Sequence, residues 1–349
     1  MADTLQTLSA LVLVQNYRGR LVPLINRTSV LLKLLPVREG IGKNCSWGVQ
    51  LSGQVVENYS EGADASNFGT DSETPATLNW GAYRANNHIS GVAKRAAALA
   101  QNPLGSDDLF GKNLLSAARG LTSQINQALF SGAGTGTTIA GLNAALGDDA
   151  NTYATIDRSN SDYALFRPYV IDPGVATPIS FAQIRTDLST IQTNSGRRPT
   201  VAICSPLVFN QVVGLFDSSR VKYEETVTTA RGAVMLEHSQ RGVVVEGCMF
   251  IPDKDATAGQ IYYLPPDEGD LAIEYLPPAP VSDIERAMMA ITGRPLIAAQ
   301  DGFGQAPLGF EIQPLAKNGD SDRFSLVSNL QLVCERPNAG GVRKHVKYT

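Results

Sequence analysis

The chain has no apolar run approaching the roughly 18 residues of a membrane-spanning helix. It opens on Met1-Ala2-Asp3-Thr4, without the basic stretch and apolar core of a secretory leader. A chain made in a cytoplasm and kept there is expected. Charge is scarce as well. Charged residues make up 18% of the 349 residues, against about 25% in an average soluble protein. With no membrane segment to account for it, a low charge fraction implies a surface that is polar but neutral, or one covered by partners. The net charge of −4 argues against a dedicated nucleic-acid binder, which carries a basic patch or a high pI. The length allows one sizeable core or two modest domains.

Chemistry-bearing residues are equally sparse. The three histidines, His88, His238 and His345, are far apart and form no H-x-x-x-H or H-E-x-x-H pattern. Glu237-His238 is a lone pair, and a metal needs further ligands close by. Cys45, Cys204, Cys248 and Cys334 form no C-x-x-C pair. Cys204 and Cys248 lie in apolar strand-like runs, so the four are read as buried free thiols in a reducing compartment. No G-x-S-x-G elbow presents a serine nucleophile, and the carboxylates scatter without pattern. The run Gly132-Ala133-Gly134-Thr135-Gly136 invites a phosphate-binding reading. A P-loop needs a strand before it and a G-K-[ST] opening a helix; here a helix precedes and no lysine follows. The Rossmann order is reversed too. The run is read as a helix stop and a turn. No catalytic, cofactor-binding or metal-ligating residue is assigned.

What is present is a sequence of segments with distinct habits. Residues 1–37 mix apolar stretches with Arg18, Arg20, Arg27 and Lys33, as in an arm or short helix leading into an extended piece. Residues 40–92 are rich in Gly, Ser, Asn and Thr. Two alternating stretches stand out in them: Trp47, Val49 and Leu51 within 46–51, and Leu78, Trp80 and Ala82 within 77–83. Between them lies a polar, acidic tip with Glu57, Glu61, Asp64, Asp71 and Glu73. This reads as a protruding hairpin carrying both tryptophans of the chain. A lone hairpin is marginal in water, so another subunit is expected to cover it. The basic residues of the N-terminal stretch, Arg18 and Arg20 among them, are read as partners for the acidic tip of a neighbouring copy, at Glu61 and Asp64, rather than for phosphates.

Residues 106–131 give the clearest helix. Ser106-Asp107-Asp108 offers a cap and negative charge for the first turn. Leu114, Ala118, Leu121, Ile125 and Leu129 share one face, and Gly132 ends the helix. Its span is on the order of 40 Å. A polar loop is expected from there to about residue 178. Residues 179–300 read as an α/β unit. Its helix starts at Ser180, with Phe181, Ile184, Leu188 and Ile191 inward. A buried strand follows at 201–204, then a second helix opened by Ser205-Pro206, and strands at 242–251, 260–264 and 271–276. Residues 324–334 form a further strand before a basic tail with Arg343, Lys344 and Lys347.

The helix and its exit, Gln127-Ala128-Leu129-Phe130-Ser131-Gly132-Ala133-Gly134-Thr135 followed by Gly141-Leu142, resemble the tailed-bacteriophage major capsid proteins of the Hong Kong 97-like fold. In that family the helix is a spine closed by a G-x-G-T turn. The resemblance extends to the order of segments along nearly the whole chain. It implies an α+β fold with an N-terminal arm at 1–37, an extended E-loop hairpin at 38–95, and a P-domain with the spine helix at 96–178. An A-domain at 179–315 and a return strand with the C-terminal tail at 316–349 complete it. It also implies a non-enzymatic role. Many copies would form hexamers and pentamers of an icosahedral shell around double-stranded DNA, touched only by weak, non-specific contact. A separate scaffolding protein, a portal and a decoration protein are the implied partners, with no cofactor and no membrane. The implied location is the virion, assembled in the host cytoplasm. Arg18, Arg20, Trp47, Trp80, Glu61 and Asp64 are the candidate inter-subunit residues. Some members cross-link a lysine to an asparagine beside a carboxylate. Lys43, Asn338 and Glu335 are of the right types, but no spacing supports that assignment. The alternatives are an encapsulin-like compartment of the same fold, an α/β enzyme built on 179–300, and a tail or decoration protein.

Overall fold

The structure, a computed structural model, describes residues 30–52, 56, 58, 60, 61, 72–92, 109–216, 226–229, 232–235, 242–267, 269–276 and 310–348. Its elements begin with α1 (Val30–Leu34), β1 (Val37–Glu39), β2 (Asn44–Ser52), β3 (Ser72–Asn79), β4 (Gly81–Ser90) and the long helix α2 (Leu109–Ser131). Then come α3 (Leu142–Leu146), β5 (Thr152–Tyr153), β6 (Ile156–Asp157), a 3-10 turn (Ser161–Phe166), β7 (Tyr169–Ile171), α4 (Phe181–Ser195), β8 (Val201–Cys204) and α5 (Pro206–Gly214). The strands β9 (Thr226–Thr229), β10 (Gly232–Met235), β11 (Val243–Val245), β12 (Cys248–Pro252), β13 (Ile261–Leu264) and β14 (Leu271–Tyr275) follow. The chain closes with β15 (Glu311–Asn318), β16 (Ser321–Cys334) and β17 (Gly341–Arg343). The described residues fall into two compact units, one drawn from 82–126 and 275–330, the other from 30–81, 127–274 and 331–349.

In the first unit β15 and β16 pair antiparallel, with Glu311 opposite Val327 and Leu315 opposite Arg323. Gly319 turns between them at φ 64°, in the left-handed region that suits glycine. β4 lies beside β16, and the Ser325 hydroxyl donates to Asn86 Oδ1 at 2.6 Å. The first turns of α2 belong here. Ala118, Leu121 and Ile125, spaced three and four apart, are buried because one helical stripe faces inward. The expected cap at Ser106-Asp107-Asp108 lies outside the described residues.

The second unit is layered. Its sheet has the order β11-β12-β8-β13-β17-β7, with β12–β8 and β17–β7 parallel and the other pairs antiparallel. β8 reads Val-Ala-Ile-Cys and is buried on both faces, as a continuous apolar run requires. On one face, Ile184, Leu188 and Ile191 of α4 and Val208 and Val212 of α5 pack with alternate sheet residues such as Cys204, Phe250 and Tyr263. On the other, Tyr262 meets Phe130 from the last turn of α2, ring centroids 6.0 Å apart. α4 starts as the sequence indicates. Ser180 accepts from Gln183 N, and the Gln183 side chain accepts from Ser180 N at 3.0 Å, a reciprocal cap. Apart from this sheet, β14 is neighboured by β1 and β16, and Glu335 N–H donates to Asp270 O at 2.8 Å.

Three expectations are corrected. The strand expected at 242–251 is a hairpin, because Glu246 and Gly247 both take positive φ (53° and 80°) and turn β11 back onto β12. The hairpin strand expected at 77–83 stops at Asn79 and resumes at Gly81. Trp80 leaves the ladder to donate its Nε1–H to Gly42 O at 3.2 Å, where its ring lies against Gly40. The polar loop expected to 178 instead holds α3, β5, β6, the 3-10 turn and β7. Its Asp and Asn side chains build local turns: Asp157 accepts from Ser159 N at 3.0 Å, and Asn160 accepts from Asp162 N at 3.0 Å.

Candidate assembly surfaces

The described residues contain no group of three or more His, Cys, Asp or Glu able to hold a metal, and no described helix is long and apolar enough to cross a membrane. All four cysteines are buried thiols. Burial pushes each of them up, Cys334 to about 12, so none is a ready nucleophile. The glycine turn uses its own amides: Gly134 N–H donates to Ile139 O at 3.0 Å and Gly141 N–H to Gly132 O at 2.9 Å. Ala140 N–H donates to the buried Gln331 Oε1 at 2.8 Å. These donors are committed to the chain itself, so the turn closes α2 rather than cradling a phosphate.

The first surface is the β2–β3 ribbon. Cys45 lies opposite Leu78, Trp47 opposite Ala76 and Val49 opposite Thr74. Alternation puts these residues on one face, with Ser46, Gly48 and Gln50 opposite Thr77, Pro75 and Glu73 on the other. Near the root the apolar face is covered, Cys45, Ala76 and Leu78 being buried. Farther out, Val49 and Leu51 are half-buried and Gln50 is exposed.

The root is pinned by residues whose roles no local pattern signals. Thr77 N–H donates to Ala154 O at 2.9 Å. The Trp47 ring stands 6.5 Å from Tyr153, which stacks on Phe166 at 6.3 Å. The guanidinium of the fully buried Arg158 lies 4.6 Å from the Tyr153 ring centre and 5.5 Å from that of Phe166. Arg158 also donates to Asp148 O at 2.9 Å. Burial pulls its pKa down to about 10. Gln331 Nε2 donates to Asn79 O at 2.6 Å, so one side chain joins the last residue of β3 to the turn that closes α2.

The expected contact residues are distributed as follows. Trp47 and Trp80 are both half-buried and both rest on their own chain, Trp47 on Tyr153 and Trp80 on Gly40 and Gly42. Glu61 is exposed. Arg18, Arg20 and Asp64 lie outside the described residues.

The second surface is the outside of the α4/α5 layer. Across both helices Arg185 and Asp187 carry the charge. Asp187 points inward, where Arg343 donates through Nε and Nη2 at 2.6 Å each and Tyr263 OH donates at 3.0 Å. Burial works against the charge on Arg343, yet its bonds to Asp187 hold it above its usual value. Arg185 is outward and pairs with Glu246 at 2.6 Å. The remaining exposed positions are neutral, Thr186, Gln192 and Asn210 for instance, with Leu207 52% exposed. Other exposed charges of the same unit include Asp148, Asp172 and Lys254 on loops and Glu39, Glu73 and Asp157 on short or edge strands.

No family model and no curated protein matches the chain. Solved structures do. The chain is similar to a subunit of the cyanophage A-1(L) capsid asymmetric unit, with 18% identity and a TM-score of 0.72 over 97% of this chain and 99% of that one. A chain from Mycobacterium phage Bobi gives 12% identity and a TM-score of 0.55 over 98% of this chain and 99% of that one. The holo-SrpI encapsulin complex of Synechococcus elongatus PCC 7942 gives 13% identity and 0.57 over 100% and 98%. At these identities the likeness is one of fold, and the fold is the Hong Kong 97-like α+β capsid fold.

Proposed function

We propose that this chain is the major capsid protein of a tailed bacteriophage, copies of which form the hexamers and pentamers of an icosahedral shell around double-stranded DNA. The observation that carries the reading is the extent of the match: 97% of this chain follows a phage capsid subunit from one end to the other. A fold alone does not name a function. Here, however, the surfaces agree with it. A charge-poor helical layer and an amphipathic ribbon are what a subunit covered by its neighbours needs.

In this reading residues 1–37 form the arm and 38–95 the E-loop that reaches a neighbour. Residues 96–178 supply the spine domain, 179–315 the domain clustered at the symmetry axes, and 316–349 the return strand and tail. Trp47 and Trp80 set the root of the loop on its own chain, and Arg18 and Arg20 meet Glu61 and Asp64 of another copy. The role is structural and not enzymatic. A scaffolding protein, a portal and a decoration protein are the partners of assembly in the host cytoplasm, and the virion is the final location.

An encapsulin-like compartment is the second reading, supported by the likeness to the SrpI shell over the full chain. Particles purified from cells and treated with nuclease separate the two. Protected DNA, obtained when the other phage components are present, supports the capsid. A stoichiometric protein cargo with no protected DNA overturns it in favour of the compartment.

A further inference from the structure

We propose that the outer face of α4 and α5 is a contact surface between copies of this chain, covered by a neighbouring copy in the assembled shell. The inference rests on the shell reading and adds to it which face meets the neighbour.

A helix layer facing water ordinarily carries charges, because they are well solvated there and depleted where surfaces become buried. On this layer the outward charge is Arg185, which pairs with Glu246 through Nη2 and Nε bonds of 2.6 and 3.2 Å; Arg198, past the end of α4, shares that carboxylate at 4.0 Å. A neutral protein surface can therefore cover the face without leaving a charge unpaired. A nucleic acid would need unpaired cations, and a lipid surface would need more apolar area than Leu207 supplies.

The threonine hydroxyls along α4 are already bonded. Thr186 donates to Ala182 O at 2.9 Å, Thr190 to Thr186 O at 2.8 Å and Thr193 to Ser189 O at 2.8 Å. Their protons are already used inside the helix. Removing them from water leaves no orphaned donor, and an orphaned donor is what makes burying a polar face costly. A shallow concavity of about 400 Å³ runs along α4 beside these residues and Ser189, with room for the side chains of an opposing surface.

The face is also small. At 1.5 Å per residue and about 10 Å of width, the two helices offer a footprint of roughly 350 Å². A standard interface uses roughly 800 Å² on each partner. This face is too small to hold a stable pair, but it suffices as one of several contacts in a closed ring, where each copy uses different patches toward its two neighbours. The occupant that fits is a second copy held by other contacts as well.

The test introduces charge into the face of the full chain. Thr186→Glu with Thr193→Glu, Thr186→Lys with Thr193→Lys, and the single Ser189→Arg are compared with the wild type. Circular dichroism and the unfolding midpoint report folding; light scattering reports particle yield. The expected result is an unchanged midpoint and a particle yield at least tenfold lower for both signs of charge. Ser189→Arg repeats the test with one change, so a fold defect in a double variant does not end it. Wild-type particle yield from folded charged variants overturns the contact and leaves the shell reading intact. A loss confined to the glutamate variant, with a gain from lysine, assigns the face to an anionic partner and overturns the contact too. A wild type that never forms particles removes the shell reading and this contact with it.

Discussion

Single buried polar side chains hold this fold at points the chain reaches from far apart. Gln331 is fully buried. Its carbonyl oxygen accepts from Ala140 N and Leu332 N, and its amide donates to Asn79 O. Gln331→Leu would keep the volume and orphan three backbone groups, each costing about 1–3 kcal/mol when buried. Relaxation will recover part of that, so a loss of about 3 kcal/mol is expected in urea unfolding of the unassembled chain. A loss below about 0.5 kcal/mol, the ordinary scatter of surface changes, would mean that the staple is not formed. Arg343 and Asp187 make a second such point. Burial already pushes the Asp187 carboxyl up, and Arg343 opposes that shift. Arg343→Met leaves the carboxylate buried without its partner, at a cost of about 3–5 kcal/mol. A carboxyl whose folded pKa lies above its unfolded value binds its proton more tightly when folded. Its stabilising effect is therefore present below the unfolded value, about 4, and is lost as pH rises through the folded value. The deficit of Arg343→Met against wild type should be smallest near that pH and grow toward neutrality. A deficit that does not vary with pH would show that Asp187 is not the group left stranded.

Elements whose cause is local were legible in the sequence. Ser180, the periodic apolar residues of α4, the Ser205-Pro206 start of α5 and the Gly132 stop of α2 act within a few residues, and each stands where the pattern put it. The breaks at Trp80 and Glu246-Gly247 were not legible. The first depends on Trp80 reaching back to Gly42, and the second on positive φ at a glutamate, which residue type does not signal. The ribbon β2–β3 shows the difference between local form and local stability. Its register runs unbroken from Asn44–Asn79 to Gln50–Glu73 and shifts only at the outer end, before Ser52–Ser72, yet two strands with one polar face are marginal by themselves. Hydrogen exchange should therefore find the outer amides, near Val49 and Gln50, exchanging fast in the unassembled chain and slowly in particles. Equal exchange in both states would remove the ribbon from the inter-subunit contacts.

At the scale of the molecule, the order of segments carried more information than any motif. The family was suggested by a spine helix, its glycine exit and the succession of arm, hairpin, α/β unit and return strand. The strand order β11-β12-β8-β13-β17-β7 could not be read, because β17 enters a sheet whose other members lie about 80–170 residues earlier, and nothing local encodes such pairings. Of the candidate site, the sequence singles out Trp47 and Trp80 as inter-subunit residues, and in the described structure both rest on their own chain; Arg158, Tyr153 and Gln331, which fix the root of the ribbon, give no sign of their roles. The scarcity of charge, by contrast, was plain from composition and acquires a location on the α4/α5 layer. The central claim is that a 37.2 kDa chain closes into a shell of many copies. Its most direct test is the mass of the full chain in solution by size-exclusion chromatography with light scattering, alone and with its scaffolding partner, backed by negative-stain images. Closed megadalton particles, or rings of five and six copies that convert to them, are the expected result. A chain that stays monomeric or dimeric across salt and concentration, with the scaffolding partner present, would contradict the account.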